Sequence, residues 1–129
     1  MAYLIVFLGA GLGGAMRHGA NQLAALLLGV AFPYGTLAVN VAGSFIMGLL
    51  AEYFALRGEL PQEVRLFLTT GVLGGFTTFS TFSLDTISLW DRGQRLDAAL
   101  YAASSFAFSL IGLVAGLMLV RLLVEGQAA

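Results

Sequence analysis

Four long apolar stretches take up most of this chain, over residues 3–28, 36–56, 64–90 and 96–124. Each can supply the roughly 20 helical residues needed to cross a ~30 Å hydrocarbon core. Between them lie short polar connections. Pro33 and Gly35 mark the first turn, Arg57-Gly58-Glu59-Leu60-Pro61 the second and Asp91-Arg92-Gly93-Gln94-Arg95 the third, with Pro61 placed for the opening turn of the next helix. Only 10% of residues are charged, against about 25% in soluble domains. The sequence therefore predicts an all-α membrane protein: one domain, residues 1–129, with four transmembrane helices. No linker is long enough to separate two domains, and no internal repeat is visible. Met1 to Phe7 carry no basic residue, so the first stretch reads as a retained span and not as a cleaved leader.

Composition removes several kinds of function. There are no cysteines and a single histidine, His18, which by itself cannot build a transition-metal site. A net charge of −1 gives no footprint for nucleic acid. No nucleophile–base pair, phosphate loop or carboxylate dyad is present, so no enzyme is expected. Glu52, Asp85 and Asp91 lie toward span ends, and no span has a central carboxylate. Proton-coupled exporters and cation pumps generally need one.

The third stretch carries the most chemistry. From Gly71 to Ser83 it reads Gly-Val-Leu-Gly-Gly-Phe-Thr-Thr-Phe-Ser-Thr-Phe-Ser. Adjacent glycines followed by threonines are poor helix formers, so the third helix is expected to break mid-membrane. An unwound backbone in lipid must line a cavity or meet polar partners, which is the usual setting of a small-ion site. Phe76, Phe79 and Phe82 recur every third residue and are expected to share one wall. A phenylalanine edge is partly positive, so rings set edge-on would line an anion path without holding the ion tightly.

Polar residues in the other spans are candidates for the same path. Arg17 is read as an electropositive vestibule for anions, the alternative being an arginine that snorkels to the membrane surface. His18 receives no role. Thr36, Asn40, Ser44 and Gly48 share a helical face. Asn40 would donate its amide to an anion or make an interhelical hydrogen bond; spacing leaves both open. Tyr101, Ser105, Ser109, Gly112 and Gly116 form a similar stripe in the fourth span, with Ser109 a second donor near its middle.

Charge and small residues speak to assembly. All six basic residues are arginines. In a four-span chain Arg57, Arg65 and Arg121 fall on one side, and Arg17, Arg92 and Arg95 on or toward the other. With so little positive-inside bias the chain can insert both ways, which permits an antiparallel homodimer. Gly9 and Gly13, Ser44 and Gly48, Gly71 and Gly75, and Gly112 and Gly116 are small pairs at four-residue spacing. They suit close packing within a subunit or between subunits. Four helices leave no room for an aqueous path, which favours a second copy.

Two of these segments resemble a known family. Gly35-Thr36-Leu37-Ala38-Val39-Asn40-Val41-Ala42-Gly43-Ser44-Phe45 is similar to a Gly-Thr-Leu…Asn…Gly…Phe motif of the Fluc (CrcB) family of small fluoride channels. Gly74-Gly75-Phe76-Thr77-Thr78-Phe79-Ser80-Thr81-Phe82-Ser83 is similar to its Gly-Gly-x-Thr-Thr-Phe-Ser-Thr-Phe-Ser signature. The resemblance covers nearly the whole chain. It implies a dual-topology homodimer with two fluoride pathways, each lined by both subunits. By the same resemblance Phe79 and Phe82 form the wall, Asn40 donates into the pathway, and Ser109, Tyr101, Ser80 and Thr81 line it. Arg17 matches the basic residue near the entrance. A structural Na⁺ is implied at the dimer centre, held by backbone carbonyls of Gly74 and Thr77 from both subunits. His18 and Asp85 stand where the family often has tyrosine and glutamate, and neither is expected to touch the pathway. The expectation is a passive channel in the inner membrane of a prokaryote, releasing cytoplasmic fluoride. The alternatives are a dual-topology proton-coupled exporter, which needs a carboxylate in the first span, and a non-conducting membrane scaffold.

Overall fold

The computed structural model describes residues 1–128. Helix α1 spans Ala2–Leu28 and α2 spans Tyr34–Leu56. The third stretch is composite: α3 (Gln62–Leu66) runs into a π-helical segment (Phe67–Leu73) and a last turn, α4 (Gly74–Phe76). After two non-helical residues, α5 runs over Phe79–Asp91, and α6 spans Arg95–Ala128. At 1.5 Å per residue α1, α2 and α6 are each at least about 35 Å long. Among the described residues helices are the only regular structure, with no strand.

Small residues decide which helices meet. Helix α2 packs along α6, and α1 along the π segment and α4. A methyl group on Gly48 would collide with the Leu113 carbonyl, and one on Gly116 would stand 2.8 Å from Leu49 N. On α1 a methyl at Gly9 would stand 2.9 Å from Gly71 Cα. The glycines of these pairs therefore mate across helices within this one subunit, backbone against backbone. Gly48→Val is expected to cost about 3 kcal/mol, because the atom struck is a carbonyl that cannot swing aside. Thermal unfolding in detergent reads the loss.

Little of the chain is buried. The core is a cluster of Phe82, Leu89, Ala98 and Tyr101, packed by Phe32, Leu37 and Ala102. Outside it, apolar side chains face outward along whole helices, Leu26, Ile111 and Leu122 among them. Tyr34–Leu56 and Arg95–Gly126 are long and apolar enough to span a bilayer, with only 17% and 11% of their most apolar windows buried inside the protein. Core helices of a soluble domain would be mostly buried; these helices present their apolar faces to the surroundings, as a membrane protein does. At the polar ends, Arg121 Nε donates to Glu52 Oε1 at 3.0 Å, tying α6 to α2. The Arg95 guanidinium lies 4.8 Å from the Trp90 ring centroid across the last turn.

Candidate functional site

The helical path stops at Phe76 and restarts at Phe79. Thr77 (φ −89°, ψ 158°) and Thr78 (φ −153°, ψ 125°) are extended. Glycines at 74 and 75 weaken the helix before the break, and Thr78 starts the next one as an N-cap, its Oγ1 accepting from Thr81 N at 3.1 Å. Thr77 turns back on the helix before it: its backbone amide and its Oγ1 both donate to Leu73 O, at 3.0 and 2.9 Å.

Two other helices hold the break. From α2, Asn40 Nδ2 donates to Thr78 O at 2.9 Å, and Thr78 N donates to Asn40 Oδ1 at 2.8 Å. The amide thus satisfies both backbone groups of one extended residue, as a neighbouring strand would. One turn on, a methyl at Gly43 would collide with Thr77 Cγ2, so glycine there admits the threonine. From α1, Arg17 Nε donates to Gly75 O at 3.0 Å.

The carbonyls can be followed one by one. In a continuous helix the amides of residues 78–81 would bond to the carbonyls of residues 74–77. Instead the Thr78 amide goes to Asn40, the Thr81 amide to the Thr78 hydroxyl, and Gly75 O to Arg17. Gly74 O and Thr77 O are left without their helical donors.

Beside the break an open cavity of about 320 Å³ is lined by Asn40, Ser44, Thr77, Thr78, Phe79, Phe82, Ser105, Phe106 and Ser109, with apolar side chains in the rest of its lining. The Phe79 and Phe82 ring centroids are 5.5 Å apart. Phe82 is 8% exposed and packs on Tyr101 at 5.3 Å and edge-to-face on Phe106 at 5.8 Å. Phe79 is 69% exposed. Ser105 is 6% exposed, and its Oγ has no hydrogen-bond partner among the described residues.

Four of the candidate residues, Asn40, Phe79, Phe82 and Ser109, meet at this cavity, with Thr77 beside them. Others lie elsewhere. Tyr101 is fully buried behind Phe82, its hydroxyl donating to Asp85 Oδ2 at 3.1 Å. Asp85, set aside in the sequence, is thus one hydrogen bond from a candidate residue. Ser80 is exposed, its Oγ 3.3 Å from Thr78 Oγ1, and Thr81 engages the same hydroxyl through its amide. Gly74 and Arg17 do not line the cavity. Phe76 leaves the expected three-ring wall: the two extended residues end the periodicity on which that expectation rested, and its ring would lie 3.4 Å from a methyl at Gly43. Ser105, which the sequence offers only as a member of the α6 stripe with no role of its own, joins them at the cavity. It sits four residues from both Tyr101 and Ser109, so its register carried the signal.

Comparison with known proteins gives the family of the chain. Residues 4–117 match the family described as CrcB-like protein, Camphor Resistance (CrcB). The chain is 55% identical over 121 residues to a fluoride-specific ion channel FluC of Rhodopseudomonas palustris (strain BisB5), covering 94% of this chain and 98% of that protein. It is 58% identical over 118 residues to a FluC of Methylobacterium nodulans, covering 92% and 94%. With a FluC of Granulibacter bethesdensis it shares 54% over 127 residues, covering 98% and 99%. A match over most of the chain, together with full-length relatives at this identity, places it: the chain belongs to the CrcB-like family.

Proposed function

We propose that this protein is a passive, fluoride-selective channel that lets cytoplasmic fluoride leave the cell. The observation that carries the reading is the meeting of the Phe79 and Phe82 rings with Asn40, Ser105 and Ser109 at one cavity beside an extended backbone. Its relatives are named fluoride-specific ion channels.

Each residue has a task in such a pathway. A fluoride ion gives up water on entry and must find replacements. Ser105 and Ser109 offer hydroxyl donors, and Ser105 has no competing partner among the described residues. Asn40 uses one N–H on Thr78 O and keeps its second. Ring edges supply weak positive charge, enough to admit an anion and too little to trap it. A negative-inside potential drives the anion outward by about 2.3 kcal/mol per charge per 100 mV. No step calls for a proton carrier or a nucleotide.

The cavity is open to the surroundings, and Phe79, which lines it, is 69% exposed. We take the functional unit to be an antiparallel dual-topology homodimer in the prokaryotic inner membrane, the second copy closing each pathway and the third span broken at bilayer depth. Gly74 O and Thr77 O, deprived of helical donors, suit a hard cation, and a structural Na⁺ shared between copies would be held by them. When bound it supplies positive charge that neutralises facing carbonyl dipoles. Exchanging sodium for N-methylglucamine is expected to lower the thermal midpoint of the purified dimer. A site filled at 100 times its Kd contributes about 2.7 kcal/mol.

A fluoride electrode on proteoliposomes tests the function. Efflux should begin when charge movement is permitted and ignore an imposed proton gradient. Flux that follows the proton gradient would support an exporter, and no flux at all a scaffold.

A further inference from the structure

Arg17 makes a contact that the channel reading does not use. Its Nε donates to Gly75 O at 3.0 Å, across 58 residues of sequence. The contact ends a longer alignment on α1, where Gly9, Gly13 and Arg17 follow at four-residue steps on one face. A methyl on Gly9 would stand 2.8 Å from Phe67 O, and one on Gly13 2.8 Å from Phe76 N. That face therefore rests against the whole run from the π segment to the break. Arg17 is the next position along, where the run stops and its last carbonyls need donors.

In a continuous helix Gly75 O would accept from the Phe79 amide. Arg17 takes that place. A cation at the C-terminal end of a helix is also favoured by the local dipole. The guanidinium binds through Nε alone among the described residues, which leaves its four Nη hydrogens for other work.

We propose that Arg17 is a positioning residue: it holds the Gly75 carbonyl that would otherwise receive the Phe79 amide, and so fixes the break that sets Phe79 in the pathway. It pairs with Asn40, which grips Thr78 on the far side of the same interruption. The inference rests on the channel reading for its consequence in flux, though not for the contact itself. It differs from a vestibule charge, which acts through its field and is indifferent to which atom carries the charge.

Reconstituted wild type, Arg17→Lys and Arg17→Gln separate the two roles. Lysine keeps the charge but lacks the planar Nε–H donor. Fluoride efflux is measured at low and high ionic strength, since the Debye length shrinks from about 30 Å at 0.01 M to 3 Å at 1 M. Amide hydrogen exchange at Thr78 is measured in parallel, with α2 and α6 amides as a control. The expected result is an equal, roughly tenfold loss of flux in both variants that persists at high salt. Thr78 exchange should rise about tenfold while the controls hold, the change set by losing one charge-assisted hydrogen bond. Wild-type flux in Arg17→Lys, with a Gln defect that vanishes in salt, would overturn the proposal, as would unchanged Thr78 exchange or a uniform rise across all helices. If wild type itself carries no fluoride the channel reading fails, and the exchange data still decide whether Arg17 holds the break.

Discussion

Asn40→Asp is expected to reduce fluoride flux by about two orders of magnitude or more. The substitution keeps size and shape and changes one donor into an acceptor. In the native protein Asn40 Nδ2 donates to Thr78 O while Oδ1 accepts from Thr78 N. A carboxylate keeps the second bond and turns an oxygen toward the Thr78 carbonyl in place of the first. An unmade hydrogen bond in a buried setting costs about 1–3 kcal/mol, and each 1.4 kcal/mol is tenfold. The carboxylate also stands on the lining of an anion's cavity, where its charge repels the ion. Asn40→Ala removes the strap without adding charge. It should fall between the wild type and the aspartate variant in electrode measurements. Equal fluxes for all three would remove Asn40 from both the pathway and the break.

The second large effect divides the two rings. Phe82→Ile and Phe79→Ile should each cut fluoride flux by tenfold or more, since both remove a partly positive ring edge from the wall. They should differ in stability. Phe82 is 8% exposed and touches Phe79, Tyr101 and Phe106, each within 5.8 Å. Its loss leaves a void in the core cluster and removes ring pairs worth about 0.5–1.5 kcal/mol each. Phe79 is 69% exposed and has far less packing to lose. Phe79→Ile therefore isolates conduction from folding. Normal flux in a well-folded Phe79→Ile variant would take the ring wall out of the mechanism.

Much of this was legible in the chain itself. The helices followed from apolar length and from Pro33 and Pro61 at their starts, because length against bilayer thickness is a strong constraint. The weak point in the third stretch was legible because Gly74, Gly75 and the threonines disfavour a helix whatever surrounds them. The meeting of Asn40 with the Phe79–Phe82 pair at one cavity needed more, since it depends on how α2 sits beside the third stretch. Sequence spacing offered Asn40 as a pathway donor or as an interhelical bond. The structure gives the bond and leaves one N–H over, so the two readings were never exclusive. Tyr101 was harder: a tyrosine in a polar stripe reads the same whether its hydroxyl faces a cavity or a carboxylate such as Asp85. Phe76 misled because period-three spacing assumes one unbroken spiral. The π segment had no mark at all, since a wide turn changes hydrogen-bond partners and not residue types.

That wide turn has a consequence for how the chain can change. A π turn holds one residue more than the α-helical turns beside it. Losing that residue from Phe67–Leu73 would let the segment relax to ordinary winding, while Gly75 downstream and Arg65 upstream kept their orientations. The third stretch thus carries slack in mid-helix, of a kind normally confined to surface loops. A one-codon deletion there should be tolerated, where the same deletion a few residues later would swing the signature away from its neighbours.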